Sequence, residues 1–195
     1  NSRVVVTGHT GFKGSWLCIW LNYLGAHVYG ISDSIPTVPS NFVASNVSTY
    51  VTDLRIDIRD YASLNKAIHE INPDFVFHLA AQPLVRKSFS DPLSTWSINT
   101  LGTVNLLESL RHLDHKCAVI VVTSDKAYDN VEWVWGYKET DKLGGPDPYS
   151  ASKGAADIAA QSFIRTYFIN NHPVRVAIAR AGNVIGGGDW ADDRI

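Results

Sequence analysis

The chain has 195 residues, 45% of them hydrophobic and 18% charged, which is enough apolar mass for one globular domain with its own core. Lys and Arg number 17 against 19 Asp and Glu, so the formal charge is −2; with no basic run and no acidic tail, this argues against a general nucleic-acid or polybasic membrane surface. Two cysteines without Cys-x-x-Cys spacing suggest neither a disulfide framework nor a zinc site and fit a reducing cytoplasm, and no apolar run approaches the roughly 20 residues that span a bilayer.

Short β-branched runs alternate with amphipathic stretches, the βαβ pattern of a parallel sheet. A first strand is expected at Val4–Thr7, directly after the N-terminus, so no signal peptide is expected. A helix over Gly11–Leu24 follows, where Trp16, Leu17, Trp20, Leu21 and Leu24 recur at helical spacing and Gly25 supplies a C′ stop. Next come a strand at His27–Ile31, a Pro/Ser loop over Ser32–Asn41, a strand at Thr49–Leu54 and a helix over Tyr61–Ile71. The fourth strand, Phe75–Ala80, leads to a long helix, Pro92–Leu113, with Asp91 as N-cap and an apolar stripe of Leu101, Val104, Leu107 and Leu110. The fifth strand, Ala118–Thr123, runs into a long loop, Asp129–Pro148; loops of that length inside compact domains are usually functional. A helix over Ser150–Asn170 and a strand at Val174–Ala179 complete the series. The expected fold is α/β, a Rossmann-type doubly wound parallel sheet in a single domain over residues 1–195. The chain begins with Asn and contains no Met, which suggests a piece of a longer protein.

The turn between the first strand and the first helix reads Thr7-Gly8-His9-Thr10-Gly11-Phe12-Lys13-Gly14, a G-x-x-G-x-x-G spacing. Glycines there let the backbone turn tightly and let a pyrophosphate approach amide N–H groups at a helix N-terminus. Position makes the signal specific, because the turn follows the first strand and opens the first helix. Gly8, Thr10, Gly11, Phe12, Lys13 and Gly14 are therefore candidates for holding a dinucleotide. Asp33, after the second strand, is placed to accept hydrogen bonds from an adenosine ribose and to repel a 2′-phosphate, which points to NAD; it is otherwise a turn aspartate. Asp57 and Ile58, after the third strand, are placed to meet the adenine, or Asp57 caps the next helix. Leu79, Ala80, Ala81 and Gln82 bring small residues to the place where a cofactor backbone passes, or simply to a close-packed strand end.

Tyr149 and Lys153 stand four apart at the start of a helix and so share one face. A phenol with its usual pKa near ~10 is a poor base at neutral pH, but a neighbouring ammonium and a positive nicotinamide favour the phenolate. Lys153 is also within reach of a nicotinamide ribose. The chemistry implied is oxidation of an alcohol, with Tyr149 taking the hydroxyl proton. A polar cluster, Thr123-Ser124-Asp125-Lys126, ends the preceding strand, and ligands bind at such strand ends in open α/β sheets.

The stretches TGHTGFKGSWL, FHLAAQPLVR, VTSDKAYDN, EWVWGYKETDKLGGPDPYSASK and ARAGNVIGGGDWADDR cover nearly the whole chain. In them the chain resembles the extended short-chain dehydrogenase/reductases that modify nucleotide sugars, and more narrowly it is similar to the CDP-glucose 4,6-dehydratases. Ala127 stands where that family usually has Cys, and residues 32–35 depart from its pattern. The resemblance implies an NAD-dependent lyase that converts CDP-D-glucose to CDP-4-keto-6-deoxy-D-glucose for the deoxysugars of surface polysaccharide such as lipopolysaccharide O-antigen. C4 is oxidised, water is lost across C5 and C6, and the hydride returns to C6.

It also implies roles. Ser124 orients the C4 oxygen, Asp125 protonates the leaving C6 hydroxyl, and Lys126 falls where dehydratases of other nucleotide sugars carry a Glu base. A lysine is a base only if its pKa falls from about 10.4 toward neutrality, so Lys126 either takes the C5 proton or stabilises the enolate while another group moves it. Asn99 supports the cofactor site or is simply a structural hydrogen-bonder in its helix, Thr123 lies beside the cofactor, and Asn183 and Gln82 contact the nucleotide sugar. The resemblance further implies a homodimer through helices near 92–113 and 150–170, and a C-terminal substrate portion largely absent from these 195 residues.

Other readings compete. A 4-epimerase or reductase of the same fold needs Tyr149, Lys153 and Ser124 but no acid–base pair, and a non-catalytic NAD-binding protein needs none of the set. Trp133 and Trp135 either cover the sugar or pack the long loop onto the core. His78 reads as a core histidine, and His112 and His115 as polar residues at a helix end, not metal ligands.

Overall fold

The computed structural model describes residues 2–193. Along the chain the strands are β1 (Arg3–Thr7), β2 (His27–Ser32), β3 (Val51–Arg55), β4 (Phe75–His78), β5 (Cys117–Val122) and β6 (Val174–Ala179). The helices are α1 (Phe12–Tyr23), α2 (Asn41–Ala44), α3 (Tyr61–Ile71), α4 (Val85–Ser90), α5 (Pro92–Trp96), α6 (Gly102–Leu110) and α7 (Pro148–Thr166). All strand pairs are parallel, and the sheet order is β3-β2-β1-β4-β5-β6. The order reverses between β1 and β4, where connections leave in opposite directions and a crevice opens beyond the strand ends.

Side chains alternate across the sheet, and two cores result. Val5, Ile31, Val76, Val119 and Val121 face α3, α6 and α7 in a core with Leu64, Ile68, Leu106, Leu107 and Leu110. Val4, Val6 and Val28 face the other way, against Cys18 of α1, Phe42 of α2 and Val47. Helical cover on this second face is partial. Among the described residues, Ala118, Ala177 and Ala179 on its β5–β6 half stay exposed, and so does Phe75.

Three expectations need correction. The apolar periodicity of α1 sets a helix but not its buried face: Gly14, Ser15 and Cys18 are buried, whereas Trp16, Trp20 and Leu24 are exposed. Gly14 lies directly against the Gly8 backbone, and Leu17, Ile19 and Leu21 pack partly buried at the flanks of the contact. Gly25 does stop it, at φ +83°. The long helix from Pro92 starts under the Asp91 cap, which accepts from the Ser94 N–H at 3.1 Å, but it contains a π-helical turn at Ser97–Leu101 and ends at Leu110. Such bulges insert a residue and are frequent at functional sites. Two short helices, α2 and α4, were not expected, because a helix of 4 or 6 residues is too short to show a periodicity. The third strand begins at Val51 because Val47–Thr49 form a 3-10 turn.

Leu107 is fully buried between α6, α3 and the sheet. Leu107→Ala should lower the unfolding free energy by about 2–5 kcal/mol through lost burial and a residual cavity, read as a shifted denaturant midpoint at unchanged slope.

Candidate functional site

The glycine turn is built by close approach. Gly8 has φ +73°, and a Cβ there would lie 2.8 Å from the Ala80 nitrogen. A Cβ on Gly14 would lie 2.1 Å from the Gly8 oxygen. Both positions therefore need glycine, and the turn packs directly on the end of β4 and under α1. Gly11, the N-cap of α1, has no side chain with which to cap the helix, so the first-turn amides face the crevice without an internal carboxylate or hydroxyl. His9 points inward: it is fully buried, and its Nε2 meets Asp53 Oδ1 at 3.0 Å. Burial holds its pKa below the ordinary value, with Asp53 opposing. Thr10 Oγ1 lies 2.7 Å from the Ser34 carbonyl and 3.0 Å from Ser32 Oγ. A carbonyl only accepts, so Thr10 donates to it and receives from Ser32.

Around this turn opens a cleft of about 990 Å³. Its wall carries Gly8, Thr10, Gly11, Phe12, Lys13, Gly14, Asp33, Asp57, Ile58, Leu79, Ala80, Ala81 and Gln82 at one end, and Thr123, Ser124, Asp125, Lys126, Tyr149 and Asn183 at the other. The candidates named from the sequence thus converge, with two exceptions. Asn99 and Lys153 are buried behind the wall.

Each exception has a structural task. Asn99 sits in the π-turn; its Oδ1 accepts from Gln82 N at 2.8 Å, and its Nδ2 donates to Gln82 O at 3.2 Å and to Ser152 Oγ at 2.9 Å. Lys153 Nζ donates to the Val122 carbonyl at 3.2 Å. Burial pushes its pKa down to about 8, Lys13 adds to the fall and Asp157 opposes it. His78 is buried and bridges Thr7 and Thr103; burial, then Lys153, drive its pKa down to about 3, so it is neutral. The Gln82 side chain is spent locally on Leu84 and Thr95.

At the end of β5, Ser124 caps a 3-10 turn, Asp125–Ala127. Its Oγ donates to Asp125 Oδ1 at 3.0 Å, and the Lys126 N–H donates to the same carboxylate oxygen at 2.9 Å. The Asp125 N–H is fixed by the Ala181 carbonyl at 3.0 Å. Asp125 and Lys126 make no ion pair with each other among the described residues; both side chains are exposed to the cleft. Ser124 and Tyr149 are buried in its wall.

Asp57 does not cap the next helix; Asp60 does, accepting from the Ser63 N–H at 3.2 Å. The Asp57 carboxylate is gripped by Arg59, whose Nε lies 2.9 and 3.0 Å from its two oxygens. That fork holds the Asp57 pKa below the usual carboxylate range. Arg59 also feels the charge of Asp33. Trp133 stacks on Tyr137 at 5.3 Å, and Tyr137 on Tyr128 at 5.2 Å. Neither Trp133 nor Trp135 lines the cleft.

Reading the sequence missed one pair. Asp157, fully buried on α7, accepts from Arg180 Nε at 2.7 Å and Nη2 at 2.9 Å, from Gln161 at 2.8 Å and from Thr123 Oγ1 at 3.1 Å. Burial alone would raise its pKa; the bonds from Arg180 and Gln161 hold it low. Asp157 continues the i, i+4 stripe of Tyr149 and Lys153, which was the available signal.

A family model described as GDP-mannose 4,6 dehydratase matches residues 5–178. The chain is 51% identical to CDP-glucose 4,6-dehydratase of Salmonella typhimurium, over 100% of this chain and 55% of that protein. Among solved structures, the UDP-glucose 4-epimerase of Thermus thermophilus in complex with NAD is 28% identical with a TM-score of 0.77, over 91% of this chain and 54% of that one. The Thermotoga maritima UDP-glucose 4-epimerase with UDP-glucose is 25% identical with a TM-score of 0.78, again over 91% and 54%. The chain spans about half the length of these relatives.

Lys153 gives a pH test. Its folded pKa is depressed, so between about 8 and 10.5 the unfolded chain binds the extra proton. Stability therefore rises with pH through that window as the cost of the buried charge disappears. In melting curves the stability of the native chain relative to Lys153→Met should rise with pH through that window; parallel curves would contradict it.

Proposed function

The chain belongs to the GDP-mannose 4,6-dehydratase family of extended short-chain dehydrogenase/reductases, and from that premise we propose that its activity is the dehydration of CDP-D-glucose to CDP-4-keto-6-deoxy-D-glucose with NAD as cofactor. The observation that carries the proposal is the single cleft shared by the glycine turn and by Ser124, Asp125, Lys126 and Tyr149. NAD fits the turn. Glycine is obligatory at Gly8 and Gly14, the α1 N-terminus is left for an anion, and Asp33 stands where an adenosine ribose would lie. Bound there, NAD would supply the oxidant for C4 and return the same hydrogen to C6.

The protein groups divide the remaining work. Tyr149 takes the C4 hydroxyl proton, helped by the Lys153 charge one turn away, and Ser124 orients the C4 oxygen. The ketone acidifies C5–H, and Lys126 takes that proton. Asp125 gives a proton to the C6 hydroxyl, which leaves as water. Ser124 Oγ and the Lys126 N–H already bond Asp125 Oδ1, so the carboxyl proton is delivered from Oδ2. Asn183 contacts the nucleotide sugar. A 4-epimerase would have no use for Asp125 and Lys126, and the 51% identity is to a dehydratase.

Phe89, Leu93, Trp96, Leu101 and Ile158 form exposed apolar surface on α4, α5, the π-turn and α7, which supports a homodimer formed through these helices. The enzyme is proposed to work in the cytoplasm and to supply deoxysugars for surface polysaccharide such as lipopolysaccharide O-antigen.

Incubation of the full-length protein and NAD with CDP-, UDP-, GDP- and dTDP-glucose should give a 4-keto product from CDP-glucose. Turnover of a different nucleotide alone would correct the substrate, and steady build-up of reduced cofactor would indicate a simple dehydrogenase. In deuterated water, Lys126→Met should abolish deuterium uptake at C5; undiminished uptake would remove Lys126 from the base role.

A further inference from the structure

The hexapeptide Thr123–Tyr128 carries Ser124, Asp125 and Lys126, and both its ends are tied to one buried ion pair. At its start, Thr123 Oγ1 donates to Asp157 at 3.1 Å. At its end, the Tyr128 hydroxyl accepts from Arg180 Nη1 at 2.9 Å, and the Arg180 guanidinium lies 4.8 Å from the Tyr128 ring centre. Arg180 and Asp157 close the span by a two-point fork at 2.7 and 2.9 Å. Asp157 is on α7, one turn beyond Lys153, and Arg180 directly follows β6. Arg180 also donates to the Glu139 carbonyl at 3.0 Å, which anchors the loop after Tyr128.

We infer that the Asp157–Arg180 pair is a positioning device. It holds the segment bearing Asp125 and Lys126 in register with the helix bearing Tyr149, so that oxidation at C4 and loss of water at C5–C6 act on one sugar without repositioning. Neither residue lines the cleft, so both act through other groups. An ion pair kept only for stability is often replaceable by apolar residues; this one also bonds the two ends of the segment, the loop after it and Gln161 of α7. The inference rests on the dehydratase reading for its consequence, but its geometric part does not.

The test uses full-length protein in two variants. Arg180→Lys keeps the charge but loses the fork. Tyr128→Phe leaves the ion pair intact and frees only one end, so it folds even where the first fails. Without ligands, amide hydrogen exchange in residues 123–128 should rise about tenfold or more in each, the factor one charge-assisted hydrogen bond commands, while exchange in β1 stays unchanged. In single turnovers of CDP-glucose, loss of water should slow about tenfold relative to C4 oxidation. Unchanged exchange, or both steps falling in equal proportion, overturns the inference. Wild-type protein that makes no 4-keto-6-deoxy product sinks the dehydratase reading instead, and the exchange measurement still decides the positioning claim.

Discussion

The floor of the cleft is fixed by a missing side chain: Gly8 lies against the Ala80 backbone so closely that a Cβ would sit 2.8 Å from a peptide nitrogen. That contact is possible only because β1 and β4 are neighbours at the reversal of strand order. It brings the turn after β1 and the end of β4 into one surface, and β5, the next strand, adds Thr123 to Lys126 beside it. Parallel strands put all these ends on one side of the sheet, so the glycine turn and the Ser124-Asp125-Lys126 cluster meet without any special loop.

A second layer behind the wall sets the electrostatics. Lys153 is buried, its Nζ donates to the Val122 carbonyl, and Lys13 and Asp157 act on its charge in opposite directions. Its charge is thus costly and easily lost, which suits a group that must favour a phenolate without trapping it. Neutral His78 and the Asn99–Gln82 clamp add rigidity without adding charge. Ser124 and Tyr149 are set in the wall, and Asp125 and Lys126 are exposed to the cleft.

Much of this was legible in the sequence because period and position carry it. The six strands, the glycine turn and the Tyr149–Lys153 stripe follow from alternation, spacing and the place of each motif. The buried face of α1 was not legible, since closeness to the sheet inverts the usual order and puts Cys18 inside and Trp20 outside. Nor was the Arg59 grip on Asp57, two residues away in one loop, because spacing does not set the side-chain conformation that makes it, or the Asp157–Arg180 pair, which joins α7 to the residue after β6. Asn99 and Lys153, expected to meet the cofactor, lie behind the wall, where the π-turn and the depth of α7 place them.

The central claim is that one hexose is oxidised at C4 and dehydrated at C5–C6 in one place, without release between steps. CDP-glucose carrying deuterium at C4 tests it most directly. The account predicts that this deuterium reappears in the C6 methyl group of the same product molecule, with solvent hydrogen at C5. Deuterium lost to solvent, or exchanged among product molecules in a mixed-label experiment, would contradict it.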